Sequence, residues 1–164
     1  MTPPIEATSD DGGQGLQGIL SLIEARLSGK LRYYDSELHG LSHLREVALL
    51  AGRIAAESGV DVETVMVMGF LHDCGRMNDG GGNGHAIDSA RMARPLLRQL
   101  FPHLDADNVC QAIASHADGG TTEDLLVGAL WDADRLTLER LGRTVREDLL
   151  STPAAKRMLK ERTR

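Results

Sequence analysis

Segment 69–80 of this 164-residue chain reads GFLHDCGRMNDG. An apolar run ends there in an adjacent histidine and aspartate, His72 and Asp73, and a glycine-rich stretch follows. The pair could bind a metal, act as an acid/base couple, or be a chance neighbouring of two polar residues at a helix end. The dipeptide does not decide between these readings, so partners elsewhere in the chain must decide.

The composition is that of one globular domain with a core of its own. Apolar residues make up 41% and charged residues 26%, and the net charge is -6. Because a general nucleic-acid binder needs a basic face, this balance argues against that class. The negative net charge is still compatible with a small phosphorylated substrate such as a nucleotide, because a bound metal supplies positive charge locally.

The cysteines and the N-terminal residues indicate the cellular compartment. The two cysteines are far apart and form no CxxC motif, which fits a reducing cytoplasm. Residues 1–15 lack the basic and apolar regions of a signal peptide, so we expect a disordered leader there. No apolar run approaches the ~20 residues of a membrane span.

Apolar residues recur at helical spacing along most of the chain, and no useful strand-like alternation occurs. The pattern therefore predicts an all-α fold. The predicted helices cover residues 16–27, 42–57, 62–74, 85–100, 107–116, a long segment ending at 141, and 153–161.

Several polar residues lie on the apolar faces of these predicted helices, namely His43, His72, His116 and Asp134. A single buried histidine is usually a hydrogen-bonded core residue, but a buried carboxylate needs a cation or strong donors. If these four side chains converge on a bound metal ion, their positions on the apolar faces have one common explanation. Asp132 points roughly opposite to Asp134, so we expect it to accept a hydrogen bond behind the ligands or to pair with an arginine.

The order His43, then His72-Asp73, then Asp134, all on helices, resembles the HD-domain superfamily of metal-dependent phosphohydrolases. The phrases HGLSH, GHAIDSA and WDADRL also look like small stand-alone bacterial HD proteins. The resemblance implies one compact HD-type bundle of six to seven helices over residues 16–164.

The resemblance also implies the ligand set and the chemistry. One or two divalent ions (Fe, Mn, Mg, Ni or Co) would activate a hydroxide against a phosphomonoester, a nucleotide or a small phosphodiester. Asp73 would bridge the two ions and is thereby catalytic. The first metal would be bound by His43, His72, Asp73 and Asp134, and the second by Asp73, His85 and His116.

Three further residues are candidates for contact with substrate. Arg76 stands where many HD proteins carry lysine, so it is either a phosphate clamp with a catalytic role or a surface arginine at a helix end. His39 is expected at the pocket rim, for substrate contact or proton transfer. Arg135 would either pair with Asp132 or reach a phosphate.

Two other functions share the same ligands. Some HD-type proteins hold a mixed-valence di-iron centre and are oxygenases, and a third reading is a module that senses a nucleotide without turnover. The ligand set does not separate these functions, and a homodimer is left open.

Overall fold

Seven α-helices and two 3-10 helices make up the secondary structure of residues 12–164, the part of the chain that the computed structural model describes. No strand occurs among these residues, which confirms the all-α prediction. The α-helices are α1 (Gly12–Leu27), α2 (Leu41–Ser58), α3 (Val62–Leu71), α4 (Gly84–Leu100), α5 (Ala106–Ala114), α6 (Leu125–Leu136) and α7 (Pro153–Arg162), and the 3-10 helices are Thr137–Leu141 and Glu147–Leu149.

Residues 1–11 of the predicted leader, which covers residues 1–15, lie outside the described residues. Helix α1 begins at Gly12, before the predicted start at residue 16. No helix in the described part of the chain is both long and apolar enough to cross a membrane.

Helix α3 is the centre of the bundle, and every residue from 65 to 71 is buried. Its first turn is capped by the carboxylate of Asp61, which accepts a hydrogen bond from the Thr64 amide at 2.9 Å. Gly69 lets α2 approach closely, because a Cβ at Gly69 would lie only 2.8 Å from Cα of Ala48. Close packing of α2 on α3 brings the start of one helix beside the end of the other.

Helix α3 ends earlier than the predicted helix over 62–74. It stops at Leu71, and His72 is its C-cap before a turn that contains Asp73. The turn is tied to α4, since the Gly75 amide donates to Oγ of the buried Ser89 at 2.8 Å. Consecutive residues of a regular helix point about 100° apart, whereas here Oδ2 of Asp73 lies 3.5 Å from Nε2 of His72.

The long helix predicted to end at residue 141 is also interrupted. Helix α6 ends at Leu136, and the chain tightens into the 3-10 helix Thr137–Leu141. Gly142 ends that helix with φ +73°, a left-handed conformation that suits glycine. Residues of this 3-10 helix line a cavity of the fold, namely Thr137, Leu138, Arg140 and Leu141.

Asp132 anchors α7 instead of supporting a metal ligand or pairing with an arginine. Its buried carboxylate accepts hydrogen bonds from the Ser151 amide at 2.8 Å and from the amide and hydroxyl of Thr152, both at 2.7 Å. Thr152 in turn caps α7 by accepting from the Ala155 amide at 3.1 Å. Asp132 and Asp134 therefore serve different sides of α6, as their spacing predicted.

Candidate metal centre

Six histidine and aspartate side chains from five parts of the fold converge at one end of the bundle. The expected ligands are contributed by α2 (His43), the turn after α3 (His72 and Asp73), α4 (His85), the turn after α5 (His116) and α6 (Asp134). All six lie within a connected set of contacts no longer than 3.5 Å.

The first group consists of His43, His72 and Asp134. The two Nε2 atoms are 3.2 Å apart, and Oδ1 of Asp134 lies 3.4 Å from Nε2 of His43 and 3.3 Å from Nε2 of His72. Ligands bound about 2.0–2.2 Å from one ion are separated by roughly 3.0–3.5 Å, so these spacings suit a shared metal.

The second group, His72, Asp73 and His116, overlaps the first. Oδ1 of Asp73 lies 3.3 Å from Nε2 of His116 and 3.5 Å from Nε2 of His85. The other oxygen, Oδ2, lies 3.5 Å from Nε2 of both His43 and His72. The two oxygens of Asp73 thus face different sets of histidines, which is the arrangement a bridging carboxylate needs.

Hydrogen bonds to main-chain carbonyls orient two of the imidazoles. Nδ1 of His72 donates to the Gly69 carbonyl at 2.6 Å, and Nδ1 of His116 donates to the Ile113 carbonyl at 2.7 Å. With Nδ1 protonated, each ring keeps an Nε2 lone pair directed into the cluster. Such carbonyl partners are typical of histidines that bind metal through the other nitrogen.

One carboxylate oxygen in the cluster lacks a hydrogen-bond donor. Oδ1 of Asp73 is buried and accepts no hydrogen bond from the described residues. A buried carboxylate oxygen without a donor is costly, and a bound cation would remove that cost. The residues present therefore fit a divalent metal, and the unsatisfied oxygen is the observation that shows it.

The charge balance also favours metal ligation. Burial opposes ionisation of both carboxylates, but the adjacent histidines outweigh it and lower the pKa of Asp73 and of Asp134. Burial lowers the pKa of His85 to about 4. Burial also disfavours charge on His43, yet hydrogen bonds to Asp134 and Asp73 raise its pKa to about 8. Two ionised carboxylates and a neutral His85 are the forms that bind metal, whereas His43 must lose a proton first.

Arg76 lies inside the site and is not a surface arginine. Its side chain is only 8% exposed, and its Nε donates to Oδ2 of Asp73 at 3.1 Å. The guanidinium also donates to the carbonyls of Asn78 and Gly80 at 3.2 and 2.9 Å. Its NH2 group lies 3.3 Å from Nε2 of His85. The His85 lone pair therefore accepts from Arg76, and His85 is the expected ligand least free to bind a metal.

A cavity of about 520 Å³ opens above the cluster, and the other two expected substrate contacts line it. Nδ1 of His39 lies 2.7 Å from Oδ1 of Asp79, which also accepts from the Ser36 hydroxyl at 2.7 Å. The Arg135 guanidinium donates to the carbonyls of Leu149 and Gly120, so it is held by main chain and not by Asp132.

Two residues at the cavity were not expected from the sequence. Asp79 belongs to the glycine-rich loop and orients His39 across a long sequence separation. Arg140 lies in the 3-10 helix after α6, and its NH2 group is 2.8 Å from Nδ1 of His43 while donating to the Leu38 carbonyl at 2.6 Å. No spacing rule links either residue to its partner, because the contacts join distant segments.

Comparison with known proteins agrees with this geometry. The HD domain family model matches residues 40–146, so the chain belongs to the HD-domain family. A crystal structure of a predicted HD superfamily hydrolase from an uncultured Thermotogales bacterium superposes with a TM-score of 0.63 at 25% identity, covering 90% of this chain and 84% of that one. The family match and the shared fold therefore place this chain in the HD superfamily, and HD domains bind divalent metals.

Among curated proteins, the chain is similar to ribonuclease Y from several bacteria. It is 34% identical over 149 residues to ribonuclease Y of Syntrophobacter fumaroxidans, which covers 90% of this chain and 26% of that protein. With ribonuclease Y of Acetivibrio thermocellus it shares 34% identity over 138 residues, covering 83% and 24%. The chain thus spans about a quarter of the length of these relatives.

Proposed function

We propose that this protein is a metal-dependent phosphohydrolase acting on a phosphomonoester, a nucleotide or a small phosphodiester. The observation that carries the proposal is the buried Asp73, whose Oδ1 lacks a donor and faces His85 and His116 while Oδ2 faces His43 and His72. This carboxylate lies at the base of a cavity that four arginines also line, an environment suited to phosphate.

The ligands divide between the two overlapping groups. His43, His72, Asp73 and Asp134 would hold one ion, and Asp73, His85 and His116 would hold the other, with His85 available once the NH2 group of Arg76 releases its Nε2. Imidazole and carboxylate ligands together suit Mn, Fe, Co or Ni, and Mg less well. When bound, a divalent metal supplies Lewis-acid activation of water and neutralises charge on phosphate oxygens.

The remaining residues have roles that follow from their contacts. Arg76 fixes Asp73 through its Nε and has a planar guanidinium at the cavity wall, which suits a phosphate oxygen. Asp79 holds Nδ1 of His39, leaving Nε2 of that ring to contact the substrate or to pass a proton to the leaving oxygen. A proton donor at this position would matter most for poor leaving groups.

The test combines metal analysis with a panel of substrates. Protein loaded with Mn²⁺ should release phosphate or alcohol from at least one of p-nitrophenyl phosphate, bis-p-nitrophenyl phosphate and the nucleoside mono- and triphosphates. His116→Ala should lose bound metal and activity. The matched control is His103→Ala, since His103 lies outside the cluster and pairs with Glu63 at 2.9 Å.

A second candidate substrate is an RNA phosphodiester, which the name of the ribonuclease Y relatives suggests. The net charge of -6 favours small substrates over long nucleic acid. Adding a labelled RNA oligonucleotide to the panel separates the two. If nothing in the panel is hydrolysed while Fe-loaded protein consumes O₂, the phosphohydrolase proposal is wrong and the oxygenase reading takes its place. Nucleotide binding without turnover would favour the sensing module instead.

A further inference from the structure

Four arginines line the cavity above the metal ligands, and three are held by other parts of the chain. Arg76 is bonded to Asp73 and to two carbonyls, Arg135 to two carbonyls, and Arg140 to two carbonyls. The fourth, Arg143, is exposed, and no hydrogen bond or ion pair of its guanidinium occurs within residues 12–164.

The main chain of Arg143 is nevertheless held in place. Gly142, with φ +73°, turns the chain at the end of the 3-10 helix Thr137–Leu141, and its amide donates to the carbonyls of Glu139 and Leu138. The Arg143 amide donates to the Leu138 carbonyl at 3.3 Å. The backbone is thus fixed at the cavity while the cation stays available for a ligand.

The cavity is also larger than one phosphate group needs. Its volume of about 520 Å³ falls within the roughly 300–1,000 Å³ typical of sites for whole small molecules. The reacting phosphate would occupy the metal end beside Asp73, where Arg76 already provides a guanidinium. Arg143 is then a surplus cation in the same cavity, and a second anionic group on the substrate would complement it.

We propose that Arg143 binds a second, non-reacting phosphate group, so that the site selects esters carrying at least two phosphates. The inference rests on the proposed phosphohydrolase function and narrows its substrate class. Nucleoside di- and triphosphates share this chemistry with 5′-phosphorylated oligonucleotides. An arginine suits the role because its planar fork can donate two hydrogen bonds to one phosphate.

The first experiment measures binding by titration calorimetry at constant free Mn²⁺. The probes are inorganic phosphate and methylenediphosphonate, which has two phosphonate groups and resists hydrolysis. In the natural protein, methylenediphosphonate should bind more tightly than phosphate. Arg143→Gln should weaken methylenediphosphonate about ten- to a hundredfold, as expected for a lost charge-assisted contact, and leave phosphate within about twofold.

Two further variants separate this role from a general effect of charge. Arg143→Lys keeps a point charge without the fork and should bind methylenediphosphonate with intermediate affinity. Arg146→Gln removes the same charge from the same segment, but Arg146 pairs with Asp148 and does not line the cavity, so binding should match the natural protein. Equal weakening of both probes by Arg143→Gln, or no weakening of either, overturns the inference.

Failure of the underlying function gives a different result. If the Mn²⁺-loaded natural protein binds neither phosphate nor methylenediphosphonate, the phosphohydrolase proposal itself fails, and this inference fails with it. A kinetic comparison of ATP with a 5′-phosphorylated dinucleotide identifies the source of the second phosphate. Arg143→Gln should raise KM for the one that is hydrolysed and leave kcat within about twofold, since the contact is to a non-reacting group. A fall in kcat at unchanged KM would contradict the assignment.

Discussion

Gly75 is where the turn carrying Asp73 touches α4, and Gly75→Ala tests how tightly that contact positions the centre. A Cβ at Gly75 would lie 2.5 Å from the amide nitrogen of Ser89 and 2.7 Å from the carbonyl carbon of Asp88, both main-chain atoms. Ordinary contact begins at 3.4 Å, so α4 or the turn must move by about 0.9 Å. His85 lies one helical turn before Ser89 and would move with it.

Overpacking of this kind costs about 1–3 kcal/mol of the free energy of unfolding. For a chain of this size, each kcal/mol lowers Tm by roughly 2–4 °C. The shift also separates His85 from Oδ1 of Asp73, which are 3.5 Å apart in the natural protein. We therefore expect Gly75→Ala to lower both the denaturation midpoint in urea and the affinity of the more weakly bound metal.

Gly84→Ala is the matched control, because it makes the same chemical change in the same region. No heavy atom lies within 4 Å of a Cβ at Gly84, and its φ is not left-handed. Alanine at this first residue of α4 should leave metal binding unchanged and should stabilise the fold by about 0.4–1 kcal/mol. If the two variants have equal stability and equal metal content by elemental analysis, the contact between the turn and α4 does not position the centre.

Three further predictions concern other parts of the structure. Asp132→Ala removes the buried carboxylate that accepts hydrogen bonds at the start of α7. It should lower the free energy of unfolding, measured in urea, by at least about 1–3 kcal/mol without lowering the metal content per folded molecule. Loss of metal at unchanged stability would contradict the structural role of Asp132. Arg140→Gln should raise metal affinity about tenfold in a chelator competition. When His43 binds a metal through Nε2 its proton is on Nδ1, and a guanidinium cannot accept from that N–H, whereas the glutamine oxygen can. Weaker metal binding would refute this. The raised pKa of His43, about 8, requires a proton to leave on metal binding, so metal affinity should rise with pH up to about 8 and then level off. A metal affinity that is independent of pH between 6 and 8 would argue against the assigned protonation. In the metal-free protein, the raised pKa of His43 also stabilises the fold below about pH 6.5, and this stabilisation is lost as the pH rises through about 8.

Much of the fold was predictable from local pattern. Periodic apolar residues predicted every α-helix within the described part of the chain, because burial of one face dictates helical spacing. The ends of two helices were not predictable in this way. Helix α3 stops at Leu71 since the turn after it is tied to Ser89, and α6 gives way to a 3-10 helix at Thr137.

For the expected metal ligands too, the sequence predicted one part and only the tertiary structure decided the other. His43, His72, His116 and Asp134 were recognisable because polar residues on apolar faces need a common partner. That the two oxygens of Asp73 face different histidines depends on a turn geometry that no sequence spacing encodes.

By itself, the sequence determined the helical class, the family resemblance and the residue types at the centre, since these follow from periodicity and order along the chain. Only the tertiary structure decided that Arg140 contacts His43, that Asp79 holds His39, and that Asp132 anchors α7. The physical reason is that hydrogen bonds and charge contacts act over a few ångströms, between segments whose proximity arises only when the helices pack.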